Sequence, residues 1–188
     1  VANDIDFATY VHAPWFIQLQ GGFGVMVSRD AIRGTDADAS GGTNTALTGR
    51  LNLTVFPASR FPFELRSEVS DSRTNADVIG DEYRSYRLGI TQSYRPESGR
   101  DLYTLGFDSS RLVSGRWGTD TVNAFNVTAV RYLDVHTFEL SAAMVSNERS
   151  DTGDESRLHS ITGRHAFQPA SSLHVDTMAS WHDSSFDF

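Results

Sequence analysis

The chain has 188 residues, which fits one domain, and it contains no cysteine, which excludes disulfide bonds and thiolate metal sites. All 16 basic residues are arginine, the formal net charge is −8 and no basic cluster occurs, so we expect no nucleic-acid partner. The mean hydropathy is −0.34 and no apolar run reaches the roughly 18 residues of a membrane-spanning helix.

Alternation of apolar and polar residues runs through most of the chain and predicts β-strands. In the second segment, Leu19 and Phe23 fall on one face, whereas Gln18 and Gln20 fall on the other. A period of two over about ten residues is the pattern of a half-apolar strand, and about 9–11 residues cross a bilayer. We predict strands at residues 3–12, 15–28, 46–56, 61–71, 83–95, 101–110, 121–132, 136–147, 156–167 and 172–182.

Two of these strands fit the pattern less well. In 121–132, Val122 and Val130 lie on the face opposite to Phe125, which predicts a β-bulge. In 156–167, the apolar Ile161 shares its face with histidines, so this strand is the weakest of the ten.

The connectors between the predicted strands alternate between short and long. Those of the long class are rich in Gly, Ser, Asp and Thr, as exposed loops require. The short connectors are residues 12–14, 57–60, 96–100, 133–135 and 168–171, and the long ones are 29–45, 72–82, 109–120 and 146–155. Bacterial transmembrane barrels have this asymmetry, with short periplasmic turns and longer extracellular loops.

Aromatic residues concentrate at the strand ends next to the short connectors. A belt of aromatic rings at one level is typical of a membrane interface, although hairpin ends of a soluble barrel also carry such rings. The residues at these ends are Trp15, Phe16, Phe56, Phe61, Phe63, Tyr94, Tyr103, Tyr132, Phe138 and Phe167. The long-connector ends carry fewer, namely Tyr83, Tyr86, Trp117 and Trp181.

With these features, the sequence resembles Gram-negative outer-membrane β-barrel proteins of the porin-like kind. The resemblance implies an all-β fold, an antiparallel up-and-down transmembrane barrel with about ten strands, in a single domain over residues 1–188. It also implies a location in the bacterial outer membrane. The end of the chain, Phe186-Asp-Phe188, looks like the aromatic terminus of such proteins, although Trp181 is out of step with it and 183–185 resembles a turn.

The direction of the strands raises a question about closure. If the short connectors lie in the periplasm, residues 3–12 start outside and residues 172–182 end outside, whereas complete bacterial barrels normally have both termini in the periplasm. Either this chain is part of a larger barrel, or the count of ten strands is off by one at each end, and we expect the former. The terminal strands must then pair with each other or with other strands or subunits, because unpaired backbone groups are costly in lipid.

In each strand, odd-numbered and even-numbered residues point to opposite faces, one of which we expect to face lipid and the other the lumen. We expect the apolar side chains at mid-strand to contact outer-membrane lipid; they are Leu51, Leu53, Leu65, Leu88, Ile90 and Leu140. The candidate pore-lining residues are Arg50, Asn52, Glu64, Arg66, Glu68, Arg87, Glu139, His174 and Asp176, with Asp108 on the same face. We expect at least one carboxylate–guanidinium contact among five of these residues, namely Arg50, Glu64, Arg66, Glu68 and Arg87.

Two acidic clusters lie in or beside long connectors. Carboxylates can bind Ca²⁺ or Mg²⁺, but Asp151-Thr-Gly-Asp-Glu155 lacks the length and spacing of an EF-hand loop, so we expect solvated acidic loops and no metal or cofactor. The clusters are Asp71, Asp77, Asp81 and Glu82, and Glu148, Asp151, Asp154 and Glu155.

Catalytic motifs are absent from the sequence. There is no G-x-S-x-G, no H-E-x-x-H and no phosphate-binding glycine loop, and Gly21-Gly-Phe-Gly24 lies within a strand. His159, His165, His174 and Asp176 lie on the last two strands, and His174 and Asp176 share a face, which suggests a hydrolase but is common by chance. We therefore expect no enzymatic activity, and predict a channel or the membrane part of an export or conduit assembly. The alternatives are a closed structural or anchoring barrel and a hydrolase embedded in a barrel.

Overall fold

A computed structural model of the chain describes residues 1–31, 41–75 and 81–187. These residues form ten strands in one antiparallel sheet, in which each strand pairs with its neighbours in the sequence. The strands are β1 Ala2–Val11, β2 Ile17–Ala31, β3 Gly41–Val55, β4 Phe63–Asn75, β5 Asp81–Tyr94, β6 Asp101–Ser114, β7 Gly118–Leu133, β8 His136–Arg149, β9 Glu155–Ala170 and β10 Leu173–Asp187. The predicted number, order and antiparallel pairing of the strands are confirmed. Within the described ranges, no helix is long and apolar enough to cross a membrane.

The strands extend beyond their predicted ends, mainly on the side of the long connectors. Strands β6 and β7 are joined by residues 115–117 alone, and β8 and β9 by 150–154, so the predicted long loops at 109–120 and 146–155 are wrong. The hydrogen-bonded ladder continues there through mostly polar residues, and Leu112 and Val113 lie on opposite faces, so alternation of hydropathy does not mark the segment. The central parts of the other two long connectors lie outside the described residues.

Two further local predictions are wrong. Strand β7 pairs with both neighbours without a register shift, so it contains no bulge, and Val122 and Val130 simply belong to the polar face. The register shift of the β9–β10 pair lies instead between Leu173 and Val175. It falls opposite the segment with Pro169. Proline has no N–H to donate to the ladder, so within sheets it occurs at irregular points of this kind. Residues 183–185 continue β10 as strand and do not form a turn.

The register assigns every paired residue to one of two faces. Side chains of directly paired residues point to the same side of a sheet, so each ladder carries the assignment to the next strand. One such row joins Leu53, Leu65 and Ile90, and continues to Phe107 and Phe125. We call its side of the sheet the apolar face and the opposite side the polar face.

The sheet has two edges. Strand β1 pairs only with β2 and β10 only with β9, and no ladder joins β1 to β10 among the described residues. Every residue of these two strands is exposed. The sheet is therefore open, and the expectation of a larger barrel stays a prediction.

Candidate functional site

The apolar face has no protein layer against it. The part of the chain that the structure describes contains no buried hydrophobic side chain, and Leu140, for example, is 55% exposed. All six leucines and isoleucines expected to contact lipid lie on this one face. Exposure of a contiguous apolar surface of this extent to water is unfavourable in free energy, so another apolar phase must cover it.

An aromatic belt occupies the short-connector end of the sheet. Phe61 stacks on Tyr94 with ring centroids 4.7 Å apart, and Tyr94 lies 6.0 Å from Tyr103. Farther along the same end, Phe138 stacks on His165 at 4.5 Å. The predicted concentration of rings thus becomes contacts between neighbouring strands, at a level where amphipathic rings favour a membrane interface.

Charged groups on the apolar face lie mainly toward the long-connector end, apart from the pair of Asp101 and Arg131 at the level of the aromatic belt. At the long-connector end, Asp71 accepts hydrogen bonds from Arg73 and Arg84, both at 3.1 Å from the arginine Nε. Near the same end, on the polar face, Arg149 Nε donates to Asp120 Oδ1 at 3.0 Å, and this bond raises the pKa of the guanidinium above its usual value. The apolar band is therefore bounded by aromatic rings on one side and by ion pairs on the other.

The acidic clusters do not converge on a metal site within the described residues. No three His, Cys, Asp or Glu side chains lie close enough there to bind one ion. Asp71 and Asp151 approach arginines instead. Asp77 and the side chain of Asp81 lie outside the described part of the chain.

The polar face carries ion pairs that link neighbouring strands. Arg87 Nη1 lies 3.7 Å from Glu68 Oε2, which confirms the expected carboxylate–guanidinium contact. Arg50 is the register partner of Glu68 on its other side, so the two arginines flank one carboxylate. Alternating charges of this kind stabilise a polar wall while leaving the groups hydrated, since all three side chains are exposed.

Two glycines allow arginines to reach across an intervening strand. Gly22 is the register partner of both Asp6 and Arg50, and Arg50 Nη2 donates to Asp6 Oδ1 at 2.5 Å over it. A Cβ atom on Gly22 would lie 2.2 Å from Asp6 Oδ1. Gly89 likewise separates Arg66 from Asp108, whose charged groups are 3.5 Å apart. These glycines keep the polar face open for the ion pairs.

A valine at Gly22 tests this role. We expect Gly22→Val to separate Arg50 from Asp6 and to lower the denaturant midpoint for unfolding, more at low than at high salt, because salt already screens an exposed ion pair. The matched control is Gly49→Val, since a Cβ at Gly49 meets no atom within 4 Å. An equal loss at both salt concentrations would indicate a purely steric role for Gly22.

The centre of the polar face is concave. Residues from β3 to β7 surround a space of about 490 Å³, and its lining includes Arg50, Asn52, Arg66, Glu68, Arg87 and Asp108. Five of these six were candidates for the pore lining, and Asp108 was placed on the same face by parity. Charged groups of both signs therefore border one solvent-filled space, which suits contact with small polar solutes.

A second polar cluster lies on the last two strands. His174 Nε2 is 2.5 Å from Asp176 Oδ2, and Arg164 Nε donates to Asp176 Oδ1 at 3.1 Å. Glu139 is the register partner of Arg164, but no ion pair joins them. Glu64 lies on the same face and makes no ion pair within the described residues.

Sequence reasoning missed two members of these clusters. Asp6 was omitted although it alternates with Ile5 and Phe7, which is a detectable signal. Arg164 was omitted because the histidines around it obscured the alternation of its strand. Both contacts join residues far apart in the sequence or across a hairpin, so only the register identifies the partners.

The sequence matches no protein-family model and no curated protein. Among solved structures it is similar to OmpT, an outer membrane protein of Vibrio cholerae. The loop L8 deletion mutant has 10% identity and a TM-score of 0.55 over 98% of this chain and 91% of that one. In-vitro folded OmpT has 10% identity and a TM-score of 0.54, over 98% of this chain and 85% of that one. The trimer form of OmpT has 11% identity and a TM-score of 0.52, over 97% of this chain and 80% of that one.

These matches establish the fold. The chain has the all-β, up-and-down architecture of outer-membrane β-barrel proteins, as predicted, although its own sheet is not closed. At identities of about one residue in ten, the likeness names no particular family. It supports the predicted location in a bacterial outer membrane.

The same matches correct one prediction. The expectation that the chain is not an enzyme rested on the absence of sequence motifs. That absence does not exclude an enzyme, so the prediction is wrong. The OmpT-like barrel fold does not restrict function to transport, because function depends on the site and not on the fold. The structure also brings the side chains of His174 and Asp176 into contact.

Proposed function

We propose that this chain forms the wall of an outer-membrane channel for small polar solutes. The observation that carries the proposal is the concave polar face, where Arg50, Arg66 and Arg87 alternate with carboxylates around one open space. Charged rings on a pore wall select solutes by sign and size. The apolar face, bounded by the aromatic belt, then contacts the membrane lipid.

Pore size depends on how the two edges of the sheet are paired. About ten strands close into a narrow barrel whose interior side chains fill, whereas wide aqueous channels need about 16–18 strands. In the proposal, β1 and β10 pair in the membrane with each other or with further barrel strands or subunits. A wider barrel allows conduction, and the membrane part of an export assembly is one form of it.

Ion selectivity measures whether the polar face lines a conducting path. We expect channels in planar bilayers, and expect Arg87→Glu to shift their reversal potential toward cation selectivity because it reverses one charge beside Glu68. The matched control is Arg111→Glu, since Arg111 lies on the apolar face opposite Tyr86 and we expect it to leave selectivity unchanged. Equal shifts for both variants, or no conductance in any, would contradict the channel and favour a closed structural barrel.

A second candidate function is hydrolysis by the cluster on β10. A carboxylate that orients an imidazole is half of a general-base site, and His174 with Asp176 has that geometry. Catalysis predicts cleavage of lipid or peptide substrates that falls at least about 100-fold in His174→Asn, consistent with loss of a general base. The control is His182→Asn on the same strand and face. Equal activity in both variants would exclude this site.

A further inference from the structure

A groove lies on the apolar face near the aromatic belt, away from the polar site. It has a volume of about 530 Å³ and crosses strands β6 to β10. Its floor is open at Gly163, where an added Cβ would meet no atom within 4 Å. Leu140 and Ala179 are the register partners of this glycine on the two neighbouring strands, and they border the groove.

Two adjacent rows of residues along the groove differ in polarity. The row farther from the short connectors is apolar or small and contains Tyr103, Ala129, Leu140, Gly163 and Ala179. The next row, nearer the short connectors, is more polar and contains Asp101, Arg131, Phe138, His165 and Thr177. The groove therefore changes from apolar to polar and aromatic at the level of the belt, where Arg131 lies beside Asp101.

Arg131 supplies the positive charge at this end. Its Nε lies 3.7 Å from Asp101 Oδ1, which is longer than the roughly 2.7–2.9 Å of a charge-assisted hydrogen bond. The side chain is 61% exposed. Its guanidinium therefore keeps donors for an anion, and phosphate oxygens fit the planar fork of arginine.

We propose that this groove binds a glycerophospholipid, with one acyl chain over Gly163 and the phosphate on Arg131. The proposal rests on the proposed function insofar as it takes the apolar face to contact lipid. An acyl chain matches the apolar row, and the phosphate matches the only part of the groove with an arginine on the same face. His165 extends the polar end, where its Nε2 hydrogen-bonds to His136 Nδ1 at 2.9 Å and its ring stacks on Phe138.

Native mass spectrometry of the delipidated, detergent-folded chain tests the proposal with two added probes. We expect one retained molecule of dioleoyl phosphatidylglycerol and little retention of diolein, which has the same acyl chains without the phosphate. Gly163→Leu should abolish retention because its side chain fills the groove. Arg131→Gln should weaken it about tenfold, the size expected for one hydrogen bond to a charged group.

The control variant is Gly49→Leu, since Gly49 lies on the same face and also faces open space. It should bind the phospholipid as the unchanged chain does. Equal retention of both probes, equal binding by all variants, or a second copy of the chain in place of lipid would overturn the proposal. Conductance of the same variants separates the two ideas: lipid retention without conductance refutes the channel alone, and conductance without selective retention refutes the lipid site alone.

Discussion

Arginine at Ile90 is expected to lower the free energy of unfolding by about 2–4 kcal/mol, the cost of this side chain near the middle of a barrel's lipid face. Ile90 lies between Leu65 and Phe107 in the register, four residues from Tyr94 of the aromatic belt. A guanidinium there must leave water or distort the bilayer. Urea titration of the chain folded into lipid vesicles measures the loss.

The neighbouring residue provides the control. Thr91 lies on the polar face, with Glu64 as a register partner, so Thr91→Arg places the same charge opposite a carboxylate. We expect it to change stability little, because the side chain remains hydrated. A larger loss from Thr91→Arg than from Ile90→Arg would show that the faces are reversed and that the apolar face is not the lipid face.

The second large effect concerns the edges of the sheet. Each backbone N–H or C=O left unpaired in the hydrocarbon costs several kcal/mol, so β1 and β10 cannot remain open within a bilayer. We expect the amides of Ala2–Val11 and Leu173–Asp187 to exchange with deuterium as slowly as those of β5 when the protein is in vesicles. Mass spectrometry of peptide fragments reports this exchange.

Rapid exchange along both edges would contradict the membrane assignment of these strands. Because the chain has no cysteine, introduced pairs can also identify the partner of each edge. With Ala8→Cys fixed in β1 and single cysteines placed along β10, a disulfide within one molecule would show a small closed barrel. That result would contradict the expectation of a larger one, whereas a disulfide between molecules would support it.

The polar site was only partly predictable from the sequence. The alternation of odd and even positions placed Arg50, Glu68 and Arg87 on one face, and the antiparallel register of β3, β4 and β5 makes them neighbours. The bond from Arg50 to Asp6 spans an intervening strand and depends on Gly22 between them. In the sequence, Gly22 is one of several glycines within a predicted strand, and only the paired strands show which side chains cross it.

The sequence by itself determined the strands, their order and their two faces, because a period of two residues is a local property that each segment carries alone. It could not locate the strand ends near Ser114 and Gly118, since ladder hydrogen bonds persist where apolar and polar residues no longer alternate. The tertiary structure decided the register, and with it the aromatic stacks, the ion pairs across glycines and the groove over Gly163. These features depend on distances between strands, which no single segment encodes.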